Sequence, residues 1–175
     1  MKVLSFDIES NGLHGPAFSV GAVLVDSDGR KVIDDFVARC PIVGDVDEWV
    51  STNVLPVTTN IKEDCKDDRE LRDKFWTWYT NAKAQADIVV AANPYPVEAR
   101  FLIACQDDDI EKRYWGHPFP LLDLGTMLYT IGLKSSEQRG EYISKVVKDR
   151  KALVHNPRWD AEAAALAALH VLNVT

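Results

Sequence analysis

The chain opens on an alternating pattern. Val3 and Leu4 lead into Ser5-Phe6-Asp7-Ile8-Glu9, and Asn11-Gly12 follows as a turn signal. Side chains alternate faces along a strand, so Leu4, Phe6 and Ile8 share one face while Asp7 and Glu9 share the other. Ala17 to Val25 is a second apolar strand. Asp26-Ser27-Asp28-Gly29 is a hairpin turn, and Lys31 to Cys40 returns as a third strand. The first three elements therefore predict an antiparallel meander.

The pattern then changes period. Pro41 to Asp47 reads as a loop, and Val46 to Pro56 as a short helix stopped before Pro56. Leu71, Phe75, Trp78 and Tyr79 form the apolar stripe of a helix from Asp67, its N-cap, to about Ala84. Ala86 to Ala92 is a continuous apolar run, as in a buried strand. Asn93-Pro94-Tyr95-Pro96 breaks it and starts a helix over Val97 to about Gln106. A polar connection follows over 106–115, then a strand end with a short helix over 118–132 and a helix with loops over 134–151. The last element is an Ala-rich helix from Pro157 to about Leu172, capped by Asn156. A meander followed by strands alternating with helices is an α/β pattern, with one central sheet and helices on both faces. No repeat or linker divides residues 1–175, so a single domain is expected.

Charge and cysteine usage narrow the function. The net charge of −7 argues against broad charge-driven binding to duplex DNA, though not against a nuclease whose acids recruit divalent cations. Cys40, Cys65 and Cys105 are odd in number and scattered, as expected of reduced thiols in a cytoplasmic setting. No apolar run is long enough to span a bilayer, and Met1-Lys2 leads into a strand rather than a signal peptide.

The candidate chemistry lies in the acids. Asp7 and Glu9 stand about 6–7 Å apart along one strand face, where two like charges repel and a cation relieves them. Carboxylate oxygens suit Mg²⁺ and Mn²⁺. Glu98 occupies the first turn of its helix on the side of Phe101 and Leu102, and so points inward. Asp160 does the same with Ala163 and Ala164. Acids in a first helical turn also complement the macrodipole, which is the competing reading for each alone. His155, five residues before Asp160, is placed to serve as a general base. The stretch from Lys134 to Lys151, with Arg139, Lys145, Lys148 and Arg150, either tracks phosphates or is a solvated face.

"FDIESNGL", "NPYPVEARFL" and "HNPRWDAEAA" resemble the three motifs of the DEDDh family of 3′–5′ exonucleases, over nearly the whole chain. One position departs: Glu98 stands where the family usually has Asp. Ser10 replaces a frequent Thr and keeps the hydroxyl. The resemblance implies an RNase H-like fold with a mixed five-stranded sheet. It implies two Mg²⁺ or Mn²⁺ ions held by Asp7, Glu9, Glu98 and Asp160, with His155 taking a proton from water. It also implies substrate contacts at Ser10 and Leu13, and a homodimer as in several relatives. Asn93, as a residue that positions the terminal nucleotide or the loop, and Trp159, as the stacking candidate nearest Asp160, are further expected substrate contacts. The expected substrate is the 3′ end of single-stranded nucleic acid, RNA favoured. The alternatives are a DNA exonuclease and a non-catalytic nucleic-acid binding module, the latter suggested only by Glu98.

Overall fold

In a computed structural model, described over residues 1–147 and 153–174, five strands form one sheet in the order β3-β2-β1-β4-β5. The meander is β1 (Lys2–Ser10), β2 (Ala17–Asp26) and β3 (Lys31–Arg39). A turn of 3₁₀ helix, Asp28–Arg30, closes the second hairpin, with Gly29 at φ +66°. β4 (Ile88–Ala91) and β5 (Leu121–Asp123) add in parallel beside β1. This is the mixed sheet anticipated from the sequence. The register of β1 and β2 sets Asp7 opposite Gly21, and it shifts between Glu9 and Ser10. That irregularity falls at the end of the acidic pair, where a bulge re-aims side chains.

Two apolar layers enclose the sheet. Leu4, Phe6 and Ile8 pack with Leu71, Phe75 and Tyr79 of α3 (Asp68–Lys83) and Phe101 and Leu102 of α4 (Val97–Asp107). On the other face, Val3, Val23 and Val90 pack against Ala161, Ala164, Leu166 and Leu169 of α8 (Pro157–Val174). Leu124 and Leu128 of α6 (Leu124–Thr130) and, at its edge, α7 (Ser136–Val146) join that layer. The small Ala positions of α8 let it lie close along β1 and β2.

Local chemistry sets the helix starts. The Asp67 carboxylate accepts from the Glu70 N–H, and the Asn156 side chain accepts from the Trp159 N–H at 3.3 Å. Pro56 corrects the sequence reading. α1 (Glu48–Asn53) ends before it, but a second short helix, α2 (Leu55–Thr58), holds Pro56 in its first turn, where a missing N–H costs nothing. The polar connection likewise contains one turn, α5 (Ile110–Arg113). Of the basic stretch, Lys148, Arg150 and Lys151 lie outside the described residues.

Candidate active site

Asp7 and Glu9 project from β1 toward the N-terminus of α8, as the alternation predicts. Glu9 is buried and Asp7 partly so. Asp160 enters from the first turns of α8. Its carboxylate accepts the backbone N–H of His155 at 2.7 Å, which gives the five-residue spacing a physical basis. His155 adopts a left-handed backbone, φ +67°, and so turns the chain back over the site. One ligand atom each from Glu9, His155 and Asp160 lies within 4.8 Å of the others.

Glu98 arrives from the opposite layer. α4 packs with Phe101 and Leu102 on the α3 side of the sheet, so Glu98 reaches the cluster around the end of β1. Hydrogen bonding from the Ile8 backbone acts on its carboxylate, which is buried.

The electrostatics are those of an uncompensated acidic cage. Burial, then the charges of Asp160, Glu9 and Glu98, push the Asp7 pKa well up. Burial, followed by Asp160 and Glu98, raises Glu9 to about 8. Burial raises Glu98 and Asp160 to about 7 each, against the pull of hydrogen bonds from the backbone. Burial lowers the pKa of His155, so its ring is neutral at pH 7. Four converging carboxylates of this kind fit hard divalent cations such as Mg²⁺ or Mn²⁺.

Two cavities flank the carboxylates. One, of about 420 Å³, is lined by Ile8, Glu9, Ser10, Leu13, Trp49 and Val97, among others. The Ser10 hydroxyl donates to the Gly12 carbonyl at 2.8 Å, and Leu13 is 65% exposed at the cavity's edge. The other, of about 320 Å³, is lined by Asp7, Asn93, His155, Trp159 and Asp160. Of the residues picked out from the sequence, Glu9, Ser10 and Leu13 line the first cavity and Asp7, Asn93, His155, Trp159 and Asp160 the second, while Glu98 lines neither.

Trp49 is a residue that the sequence left unassigned. Its ring meets that of His155 edge-on, with centroids 5.0 Å apart and planes at 82°. Asn11 places it: its amide donates to the Asp45 carbonyl and its carbonyl accepts from the Asp47 N–H, both at 2.8 Å. Asp47 in turn caps α1 by accepting from Trp49 and Val50. The signal in the sequence was the Asp two residues before an aromatic at a helix start.

No family model and no curated protein matches the sequence. Solved structures do. The nuclease domain of 3′hExo, a DEDDh family member bound to rAMP, superimposes with a TM-score of 0.64 at 12% identity, over 99% of this chain and 92% of that one. This chain has the fold of a DEDDh nuclease domain. Exonuclease X in complex with 5′ overhanging duplex DNA gives 0.60 at 16% identity, with the same coverage of 99% and 92%. A 3′-exonuclease that recognises the 3′ end of the histone mRNA stem-loop gives 0.66 at 10% identity. The match takes in 99% of this chain but spans only 64% of that one. The fold is thus RNase H-like, with the acidic cleft at the carboxyl end of β1. Among the described residues, no helix is long and apolar enough to cross a membrane.

Proposed function

We propose that this chain is a single-domain, divalent-metal-dependent 3′–5′ exonuclease of the DEDDh family. It acts on the 3′ end of single-stranded nucleic acid, RNA favoured, and releases nucleoside 5′-monophosphates. The observation that carries this reading is the convergence of Asp7, Glu9, Glu98 and Asp160 with a neutral His155 beside them. Asp7, Glu9, Glu98 and Asp160 would hold two Mg²⁺ or Mn²⁺ ions. When bound, such ions supply charge stabilisation for the attacking and leaving oxygens of an in-line displacement.

The chain's own residues do the rest. His155 accepts the proton of the attacking water at a ring nitrogen, and the Trp49 ring packs against that imidazole in a T-shaped contact. A bond forms from water oxygen to phosphorus, and the bond from phosphorus to the penultimate O3′ breaks. The departing O3′ takes up a proton from solvent, so the shortened strand ends in a 3′-hydroxyl. Leu13 and Trp49 border an apolar cavity that suits the terminal base, while Ser10 holds the loop between them. Asn93 and Trp159 line the other side, where the strand continues.

A DNA substrate is the second reading, favoured by the likeness to Exonuclease X, which was solved with DNA. End-labelled RNA and DNA oligonucleotides incubated with Mg²⁺ or Mn²⁺ test both readings. A ladder shortening from the 3′ end is expected, faster on RNA. A faster DNA ladder overturns the RNA preference, and oligonucleotide binding without any released nucleotide overturns the catalytic reading.

A further inference from the structure

The cleft continues past the carboxylates along the edge of the sheet. Asn93 lines the cavity that holds Asp7, His155 and Asp160, and it also lines a neighbouring cavity of about 290 Å³. Asp123, Thr126 and Tyr129 line this second cavity together with Arg139 of α7. The Tyr129 side chain is exposed. Asp123 is engaged locally, accepting from the Gly125 N–H at 2.9 Å and the Thr126 hydroxyl at 2.5 Å.

Arg139 sits on a well-founded helix. Ser135 and Gln138 form a reciprocal capping box at the start of α7. One Arg139 nitrogen donates to the Lys134 carbonyl at 3.0 Å, and a guanidinium has five N–H donors in all. Lys145, on the same helix, is paired with Glu141 at 4.0 Å. Of the basic side chains described on this stretch, Arg139 is the one that lines the cavity shared with Asn93.

We propose that this cavity is a further nucleotide subsite, in which Arg139 binds an internal phosphate of the strand being degraded and Tyr129 stacks on the base to the 5′ side of that phosphate. The inference rests on the nuclease reading above and deepens it. A guanidinium beside an exposed ring offers the two contacts that sequence-independent binding of a single strand uses: phosphate pairing and base stacking. The shared Asn93 makes the subsite continuous with the cleft that holds the carboxylates.

Substrate length separates this role from any other. A dinucleotide without a 5′-phosphate has one phosphodiester, the scissile one, and leaves no phosphate for Arg139. We compare kcat/KM on such a dinucleotide and on an octanucleotide with the same 3′ end. In R139A and Y129A the octanucleotide-to-dinucleotide ratio should fall about tenfold, the discrimination typical of one phosphate pair or one stacked base. R139K, which keeps the charge, should recover most of it. The slope of log Kd for the octanucleotide against log salt should shrink by about 0.7 in R139A, one phosphate's share on a single strand. An unchanged ratio and slope, or an equal loss on both lengths, overturns the subsite. If the wild-type protein releases no nucleotide, the catalytic reading fails by itself. The subsite is then judged on binding alone, and R139A binding the octanucleotide as tightly as wild type overturns it.

Discussion

Gly21 lies opposite Asp7 in the β1–β2 pair, and the first turn of α8 rests on it: a β-carbon there would stand 2.0 Å from the Arg158 nitrogen. It would also stand 2.2 Å from the Pro157 carbonyl carbon. The missing side chain is what lets α8 settle beside Asp7 and bring Asp160 to it. Backbone atoms cannot swing aside as a flexible side chain can, so Gly21→Ala must lift the start of the helix. We expect a stability loss of about 1–3 kcal/mol, as in other overpacked sites. We also expect Mn²⁺ affinity to fall at least tenfold in calorimetry. Leu169→Ala, in the α8 core remote from the acids, is the control. If it matches Gly21→Ala in stability loss and also in metal affinity, the positioning argument is wrong.

His155 separates two roles that the geometry allows. Its ring lies close enough to Glu9 and Asp160 to join a ligand set, and burial keeps it neutral enough to accept a proton. As a general base, His155→Ala should cost about 10²–10⁴ in kcat while leaving Mn²⁺ affinity within a few-fold. A matching collapse of metal affinity would make His155 a ligand instead. Wild-type turnover would remove it from the mechanism.

Much of this site was legible in the sequence because its logic is local. The period of two put Asp7 and Glu9 on one face and the apolar residues on the other. The spacing of His155 and Asp160 reflects a hydrogen bond closed within one turn. The meander and the α/β alternation likewise gave the sheet. What stayed hidden depends on residues far apart in the chain. Trp49 meets His155 only because Asn11 and Asp47 tie β1 to α1. The contact between Gly21 and Arg158 needs the packed layers, and a glycine in a strand does not announce what lies over it. Pro56 misled because a helix start tolerates proline as well as a helix end does.

The Trp49 contact carries a prediction of its own. Removing the ring takes away both a face for the terminal base and the edge that steadies His155. Trp49→Ala should raise KM by about 10-fold, within the range of one base–aromatic stack, and lower kcat as well. Trp49→Phe keeps an aromatic ring and should restore most of the KM. If Phe and Ala behave alike, stacking is not what Trp49 does.

Glu98 tests the reach across the sheet. Glu98→Asp keeps the charge but shortens a side chain that comes from the far layer, so Mn²⁺ affinity and turnover should both fall. Glu98→Gln keeps the length and removes one repelling charge. At pH 8 without metal it should raise Tm by about 2–4 °C, the shift that about 1 kcal/mol gives in a chain of this size. With Mn²⁺ present that advantage should reverse, because the ligand is gone. Full activity in Glu98→Asp would show that the position takes either acid and that length is not tuned here.

The raised carboxylate pKa values fix the sign of the pH dependence. Between about pH 4 and pH 8 the metal-free folded protein keeps protons on Glu9, Glu98 and Asp160 that the unfolded chain releases, and Asp7, also pushed up, acts in the same direction. The folded state then binds more protons than the unfolded one, so stability falls as pH rises through that window. Below it both states are protonated at these groups and the full stability is present. Above about pH 8 Glu9, Glu98 and Asp160 face one another as charges, and their share of the penalty is in place. A divalent cation that binds only the ionised cage must compete with those protons. Its stabilising effect should therefore be small at pH 5 and large at pH 8, with protons released on binding. Melting curves with EDTA and with Mn²⁺ across pH 5–8.5 measure this directly. If the two curves run parallel, with the same increment at every pH, the cation does not bind where these carboxylates meet.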